Sequence, residues 1–251
     1  MHNMGISFMN EIQINTLNFN VSSLLSLRNT DYKVLFEGIN MQRLFGGLYV
    51  TAKIAFISVI IAFILGILFG IVMTFKNKVV HAICKLYLEI VRIIPILVWL
   101  FILYFGVDKA FNLNISGEIV SIVVFSLWGI AEMGDIVRGA ITSIPKHQEE
   151  AAISINLSKK DIYLHVILPQ ALKRILPGAI NLSTRMIKTT SLVVLIGVVE
   201  VVKIGQQIIE TSILKVPTAS FWVYGFIFFL YFIICYPLSK ISKILEQKWV
   251  G

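Results

Sequence analysis

Two long apolar stretches without charge restrict this chain to a membrane fold. Residues 54–75, IAFISVIIAFILGILFGIVMTF, and residues 216–239, VPTASFWVYGFIFFLYFIICYPLS, contain no Asp, Glu, Lys or Arg. Each exceeds the about 20 residues that a helix needs to cross the hydrocarbon core. The whole chain is 57% hydrophobic and only 14% charged, which is outside the range of soluble domains. The sequence therefore predicts an integral membrane protein.

Three further stretches are apolar but carry charges, and we predict a span in each: 82–106, 118–137 and 178–204. Ionisable side chains are costly in lipid, so these helices should turn their charged sides to the bundle interior or to water. The prediction is an all-α membrane protein of about five transmembrane helices, two of them lipid-facing, around a polar seam. The interior charges are Glu89, Arg92, Glu132, Asp135, Arg185, Lys188 and Glu200.

The distribution of Lys and Arg predicts the orientation. If five helices cross and the N-terminus is outside, the segments 76–85, 138–174 and 240–251 are cytoplasmic and carry 12 of these residues, against 5 in the outer segments. Cytoplasmic loops are enriched in Lys and Arg. Residues 1–43 are then a polar extracytoplasmic segment. Its start lacks the features of a cleavable signal peptide, so the first span is expected to direct insertion.

The polar stretch within residues 139–177 predicts a cytoplasmic helix pair. Pro145 suits the first turn of a helix, which we expect to end at Asn156 because asparagine tolerates the left-handed conformation. Ser158, followed by Asp161, resembles a capping box that starts a second helix. That helix should run to about residue 168, where Pro169 interrupts it.

Within the first helix, Ala151 and Ala152 beside Glu150 leave room for a partner's backbone and an acid to fix its position. Local chemistry leaves two interpretations open. The pair is either a solvated loop or a surface on which another protein docks.

A resemblance favours docking. The segment EEAAISINLSKKDIYLHVILPQA resembles the cytoplasmic loop motif of ABC importer membrane subunits, through Glu150, Ala151, Ala152 and the Ile-Leu-Pro at 167–169. Asn156 stands where that motif has glycine.

Other segments resemble the polar amino acid permeases among these subunits. They are YLEIVRIIPILVWLFILYFG with Glu89, Arg92 and Pro95, DIVRGAITSIPKHQEEAA, IKTTSLVVLIGVVEV and YFIICYPLSKISKILEQK. The resemblance covers about residues 44–248, which we take as the permease domain.

The resemblance implies a type I ABC importer permease in the bacterial cytoplasmic membrane, and not an enzyme. Its expected partners are two ABC ATPase subunits, a second permease copy or a related permease, an extracytoplasmic amino acid binding protein and membrane lipid. The helix pair would couple to the ATPase through Glu150, Ala151, Ala152, Asn156 and Ser158. The sequence contains no Gly-Lys dipeptide and hence no phosphate-binding loop ending in Gly-Lys-Ser/Thr, so ATP and Mg²⁺ are expected on the partner and no cofactor on this chain.

The interior charges allow two interpretations. Asp135 and Arg138, three residues apart, can form a local salt bridge, and Arg92 can pair with Glu89 to brace the bundle. Alternatively, Arg92, Glu89, Glu132 and Asp135 line a substrate pathway, with the acids receiving an ammonium group and Arg92 a carboxylate.

Several other function classes are disfavoured. The net charge of +8 suits cytoplasmic loops better than nucleic acid, and Cys84 and Cys235 have no ligand-like spacing to any histidine. His147 and His165 are expected in solvent. A channel would not need the helix pair, and the predicted spans contain no nucleophile–base or metal constellation that an enzyme would need. Gly66 and Gly70 predict close helix packing.

Overall fold

The computed structural model describes residues 31–112 and 114–249. All regular elements in these residues are helical, which confirms the predicted all-α class. Two 3-10 segments, Asp31–Leu35 and Thr190–Ile196, and two π-helical segments, Ile102–Val107 and Ile162–Ile167, accompany the α-helices. The α-helices are α1 Asn40–Val72, α2 Lys78–Ile93, α3 Ile96–Phe101, α4 Asp108–Phe111, α5 Gly117–Thr142, α6 Lys146–Ser154, α7 Lys159–Asp161, α8 Leu168–Thr189, α9 Val201–Ser212 and α10 Ala219–Trp249.

Among residues 31–112 and 114–249, three helices are long and apolar enough to cross a membrane: α1, α5 and α10. Even α5, with 26 residues, extends roughly 39 Å at 1.5 Å per residue, beyond the roughly 30 Å of the hydrocarbon core. Helix α1 begins at Asn40, well before the predicted residue 54. Its two early cations are accommodated because Arg43 bonds Gln207 at 2.6 Å and Lys53 bonds Glu118 at 2.7 Å. Residues 1–30 of the predicted N-terminal segment lie outside the described residues.

The predicted span 82–106 is not one straight helix. Helix α2 and the helix from Ile96 to Val107 meet at an angle of 93°. Pro95 explains the break, because it has no backbone N–H and disfavours a helical conformation at Ile94, whose ψ is 125°. If this bent pair is one span, it crosses the membrane as a broken helix.

The predicted span 178–204 is also broken. The helical stretch Lys159–Ile196 and α9 meet at 51°, and Gly197 at the break has a left-handed φ of 82°. Glu200 then caps α9: it is fully buried, accepts the Lys203 N–H at 2.9 Å and accepts the Thr51 hydroxyl of α1 at 3.1 Å. Counting each bent pair as one span gives up to five spans, in agreement with the predicted number.

Helices α1 and α5 pack closely through glycines, as was predicted from Gly66 and Gly70. A methyl group added at Gly66 would lie 2.6 Å from the Met133 Cβ, and one at Gly70 would lie 2.5 Å from the Val137 Cβ. Larger residues would therefore separate the two helices. This contact sets the rotation of α5 and therefore the direction in which the face with Glu132 and Asp135 points.

The outer surface is apolar on two of the long helices. Large hydrophobic side chains are exposed along α1 and α10, including Phe56, Leu68, Phe228 and Phe232. Exposed apolar side chains at this density are expected where a helix faces lipid. The charged residues Arg92, Glu132, Asp135 and Arg185 lie instead on α2, α5 and α8.

Candidate functional site

The interior charges come together as an ionic cluster formed by Arg92, Glu132, Asp135, Arg138 and Arg185. Arg92 lies in the last turn of α2, and Arg185 lies near the end of α8. The other three members lie at i, i+3 and i+6 on α5, so they share one helix face. The cluster therefore joins three helices that are distant in the sequence.

Glu132 is at the centre of the cluster. Its Oε1 accepts a hydrogen bond from Arg92 Nε at 2.7 Å, and its Oε2 accepts one from Arg185 NH2 at 2.6 Å. The Glu132 side chain is only 12% exposed, whereas the side chains of Arg92 and Arg185 are 38% and 51% exposed. The Glu132 carboxylate is thus mostly buried, whereas the two arginines that bond it are partly exposed.

Asp135 makes the remaining ion pairs. Its Oδ2 accepts from Arg92 NH1 at 3.0 Å, and its Oδ1 accepts from Arg138 NH2 at 2.6 Å. The predicted Asp135–Arg138 salt bridge is confirmed. The alternative Arg92–Glu89 pair is wrong: Arg92 bonds Glu132 and Asp135. Glu89 pairs instead with Lys85 at 3.6 Å.

The cluster contains three guanidinium groups and two carboxylates, so it has one excess positive charge. All four carboxylate oxygens already accept hydrogen bonds from arginine. A further anion such as a carboxylate would therefore be attracted to the exposed edges of Arg92 and Arg185, whereas an ammonium group would have to displace an arginine.

Arg185 belongs to the cluster although the sequence reasoning placed it only among the interior charges. Its guanidinium carbon lies 5.5 Å from the centre of the Trp128 ring, one turn before Glu132 on α5. Trp128 and Glu132 together orient Arg185 by a cation–π contact and an ion pair. The sequence contained one indication of this role: Arg185 is a cation in an apolar stretch, and such a cation needs an acid on another helix.

The second candidate region is the helix pair, which consists of α6, the turn at residues 155–158, and α7 with its π-helical extension Ile162–Ile167. Asn156 has a left-handed φ of 61°, and the Leu157 N–H returns to the Ala152 carbonyl at 3.2 Å. The Ser158 hydroxyl accepts from the Asp161 N–H at 3.2 Å. The predicted turn and the Ser158 cap are confirmed, but the Asp161 carboxylate accepts from the Ser158 hydroxyl, so only the Ser158 half of a capping box forms.

Two details of the helix pair differ from the prediction. Helix α6 ends at Ser154, before Asn156, and Pro169 does not interrupt the second helix, which continues into α8. The π-helical turn explains this continuity. The Leu168 N–H reaches the carbonyl of Tyr163, five residues back, so the wider turn precedes the proline and the helix resumes.

The helix pair exposes apolar as well as charged side chains. Glu150 and Ala151 are exposed, whereas Ala152 is buried. Ile153 and Ile155 are 58% and 72% exposed, although they lie outside the apolar spans. Sequence reasoning named neither isoleucine. Beside the pair, Arg174 of α8 donates to the Ser143 hydroxyl at 2.6 Å and to the Ser143 carbonyl at 3.0 Å, which joins the two helices that flank the pair, α5 and α8.

The histidines and cysteines form no metal site in the described part of the chain. His147 and His165 are both exposed, as predicted. Cys84 and Cys235 are buried free thiols. In residues 31–112 and 114–249, no group of three or more His, Cys, Asp and Glu side chains is arranged to hold a metal ion.

The structure is thus an apolar helical bundle with two bent helix pairs and an ionic cluster that joins three helices. The chain belongs to the family described as "Binding-protein-dependent transport system inner membrane component", which it matches over residues 62–250. It is therefore a multi-pass inner membrane component of a transport system. The predicted resemblance to importer membrane subunits is confirmed.

Curated relatives agree with this assignment. The chain is 32% identical over 219 residues to the glutamine transport system permease protein GlnP of Escherichia coli (strain K12), covering 87% of this chain and 97% of that protein. It is 30% identical over 203 residues to the L-cystine transport system permease protein TcyB of Bacillus subtilis (strain 168), covering 81% and 85%.

Solved structures agree as well. A crystal structure of an amino acid ABC transporter with histidines matches with a TM-score of 0.73 and 26% identity, covering 83% of this chain and 94% of that one. The MetNI methionine ABC transporter in an inward-facing conformation matches with a TM-score of 0.59 and 20% identity, which supports the fold alone; the match covers 82% of this chain and 97% of that one.

Proposed function

We propose that this chain is the permease subunit of an ABC importer for a polar amino acid. An extracytoplasmic binding protein delivers the substrate, and two ATPase subunits bind ATP and Mg²⁺ and drive transport. The chain pairs with a second copy of itself or with a related permease. The observation that carries this proposal is the helix pair, on which Ile153, Ile155 and Glu150 are exposed.

In this mechanism the helix pair transmits the closure of the ATPase subunits. Exposed isoleucines beside an acid form a surface that an ATPase groove can bury, with Glu150 fixing the register. Ala152, Asn156 and Ser158 maintain the turn that presents this surface. The pair connects α5 to α8, which Arg174 and Ser143 join beside it, so movement of the pair would shift α5 and α8 and favour inward-facing or outward-facing packing.

Glu150→Lys tests coupling. The residue is exposed, so the variant should insert and fold normally, but it places the opposite charge in the ATPase interface. We expect loss of ATP-driven uptake and of copurifying ATPase. Glu246→Lys, the same reversal of an exposed charge but on α10 and outside the helix pair, is the matched control. Full uptake by an assembled Glu150→Lys complex would remove Glu150 from the coupling surface.

The proposed orientation has the N-terminus outside, the helix pair and the C-terminus in the cytoplasm. The excess of Lys and Arg in the segments assigned to the cytoplasm supports it. A cysteine introduced at Lys159 should react with an impermeant reagent only after the membrane is made permeable. Labelling of that cysteine in intact cells would contradict the orientation.

The ionic cluster is proposed as part of the substrate pathway. An amino acid presents a carboxylate and an ammonium group, which both lose hydration inside the membrane unless protein groups replace the water. The exposed edge of Arg92 would receive the carboxylate, and Glu132 and Asp135 would receive the ammonium group as their arginine pairs open. Glu89, one turn before Arg92 on α2, would lie at the margin of this path.

Glu132→Gln tests the pathway because it retains the shape but removes the charge. We expect the apparent affinity for the amino acid to fall about tenfold, equivalent to about 1.4 kcal/mol, in complexes that still bind the ATPase. Glu118→Gln, on the same helix, is the control, because Glu118 pairs with Lys53 away from the cluster. Unchanged affinity and rate would exclude Glu132 from the pathway, and loss of assembly would indicate a structural brace.

A further inference from the structure

A basic pocket lies where the end of α1, the first half of α2 and the end of α5 meet. Its volume is about 260 Å³. His81, Cys84, Lys85 and Leu88 recur at helical spacing and form one face of α2. The residues that line the pocket are Met73, His81, Cys84, Lys85, Leu88 and Arg138.

The residues that line the pocket include cations and no acid. Arg138 uses Nε and NH2 to bond Asp135 Oδ1, and its NH1 makes no hydrogen bond to any residue that the structure describes. Lys85 pairs with Glu89 at 3.6 Å, and both side chains are more than half exposed, so this pair is weak. Lys76 and Lys78, both exposed, lie in the loop and at the start of α2. The pocket thus retains excess positive charge.

The pocket lies at a boundary between apolar and polar surface. The uncharged stretch of α1 ends at Phe75, and Lys76 follows directly. On α2, three side chains outside the pocket lining are apolar and exposed: Val79, Ile83 and Leu86 are 66%, 63% and 58% exposed. One helix therefore presents cations on one face and a lipid-compatible surface on another.

We propose that this basic pocket binds the phosphate group of an anionic phospholipid headgroup. Lys85 and the Arg138 NH1 group would contact the phosphate oxygens, because charge-assisted hydrogen bonds are the strongest that these groups form. The acyl chains would lie along Val79, Ile83 and Leu86. Basic pockets between membrane helices are established sites for anionic headgroups.

The size of the pocket favours a headgroup. Its volume of about 260 Å³ is below the roughly 300–1,000 Å³ of pockets that enclose drug-sized ligands. A phosphate could come from a lipid or from free inorganic phosphate. The exposed apolar side chains beside the pocket favour the lipid. The proposal does not depend on the orientation of the chain, because both leaflets present headgroups at their surfaces.

The test uses the two native cysteines as reporters. The full chain is purified in a neutral detergent with the subunits that accompany it, and thiol alkylation is followed at both cysteines by peptide mass spectrometry. Cys84 lines the pocket, whereas Cys235 lies on α10 and serves as the internal control. Phosphatidylglycerol, phosphatidylcholine, inorganic phosphate and free glutamine are added in separate arms.

We expect phosphatidylglycerol to slow the alkylation of Cys84 and not that of Cys235. Lys85→Gln should raise the phosphatidylglycerol concentration that gives half-maximal protection about fivefold, as expected when one cation near an anionic headgroup is removed. Lys243→Gln removes an exposed cation on α10 and should leave protection unchanged. Because Lys85 is exposed, neither variant should disturb folding.

The arms separate the sources of phosphate. Protection by inorganic phosphate as strong as that by the lipid would support a phosphate site filled from solution. Equal protection by phosphatidylcholine, protection by glutamine alone, absence of protection, or a Lys85→Gln variant with unaltered protection would each overturn the proposal.

Discussion

The ionic cluster and the helix pair hold their charges in opposite ways. In the cluster, both carboxylates of α5 bond arginines from three helices, and Glu132 is only 12% exposed. In the helix pair, Glu150 and Lys160 are exposed, and neither forms an ion pair within residues 31–112 and 114–249. The carboxylates of the cluster are therefore all bonded within one chain. The helix pair instead presents exposed charges and apolar side chains, as expected of a protein-binding surface.

This difference separates two kinds of perturbation. Changes in the cluster should affect the stability of the isolated chain, because they leave partly buried charges unpaired. Changes in the helix pair should leave that stability unaltered and affect association, because the side chains concerned already contact water. Three variants test this separation.

Arg185→Gln should have the largest effect. It removes one of the two cations on Glu132 and the cation–π contact with Trp128. Since Arg185 is half exposed, we expect the free energy of unfolding to fall by about 1–2 kcal/mol and the melting temperature to fall by several degrees. Thermal unfolding of the purified chain, followed by tryptophan fluorescence, measures the change.

Lys53→Gln is the matched control for Arg185→Gln. Lys53 forms an ion pair of similar length with Glu118, at 2.7 Å, but outside the cluster and with both side chains more exposed than Glu132. It should shift the melting temperature less. Equal shifts in the two variants would mean that the cluster contributes no more than a surface pair, and the comparison between the two regions would fail.

The parts of this architecture that are local in sequence could be predicted, and those that depend on how helices face each other could not. The apolar runs within α1 and α10, the left-handed Asn156 and the Asp135–Arg138 pair follow from residues within a few positions. The bonds from Arg92 and Arg185 to Glu132 join residues 40 and 53 positions apart. They depend on the rotation of three helices, which hydropathy does not specify.

The breaks in two spans show a related difficulty. Hydropathy averaged over a span of about 20 residues does not distinguish a straight helix from a bent one. Pro95 was a visible signal for the first break, and Gly197 for the second. Pro169 would have suggested a break as well, yet the helix continues there through the π-helical turn. Whether a proline ends a helix depends on the turn before it.

Asn156→Val should have an intermediate effect, confined to the helix pair. The residue has a φ of 61°, which costs a β-branched side chain at least about 1–2 kcal/mol. We expect the affinity for the ATPase subunit to fall roughly 5–30-fold, while the melting temperature of the isolated chain remains unchanged.

Asn156→Gly is the matched control, because glycine adopts this conformation without a steric penalty, and its affinity should remain near that of the parent protein. A lowered melting temperature for Asn156→Val would show that the turn also supports the bundle. The helix pair would then be less independent of the cluster than the exposed side chains indicate.

Glu89→Gln should have the smallest effect and defines the edge of the cluster. Glu89 is one turn from Arg92, but its ion pair is with Lys85 at 3.6 Å, and its side chain is 53% exposed. Water replaces such a pair at little cost, so we expect uptake affinity within twofold of the parent protein and no change in melting temperature. Radiolabelled amino acid uptake measures this affinity, and Glu132→Gln is measured in parallel for comparison. A loss comparable to that of Glu132→Gln would extend the substrate path one turn along α2, to a position where the carboxylate is open to solvent rather than bonded by arginine.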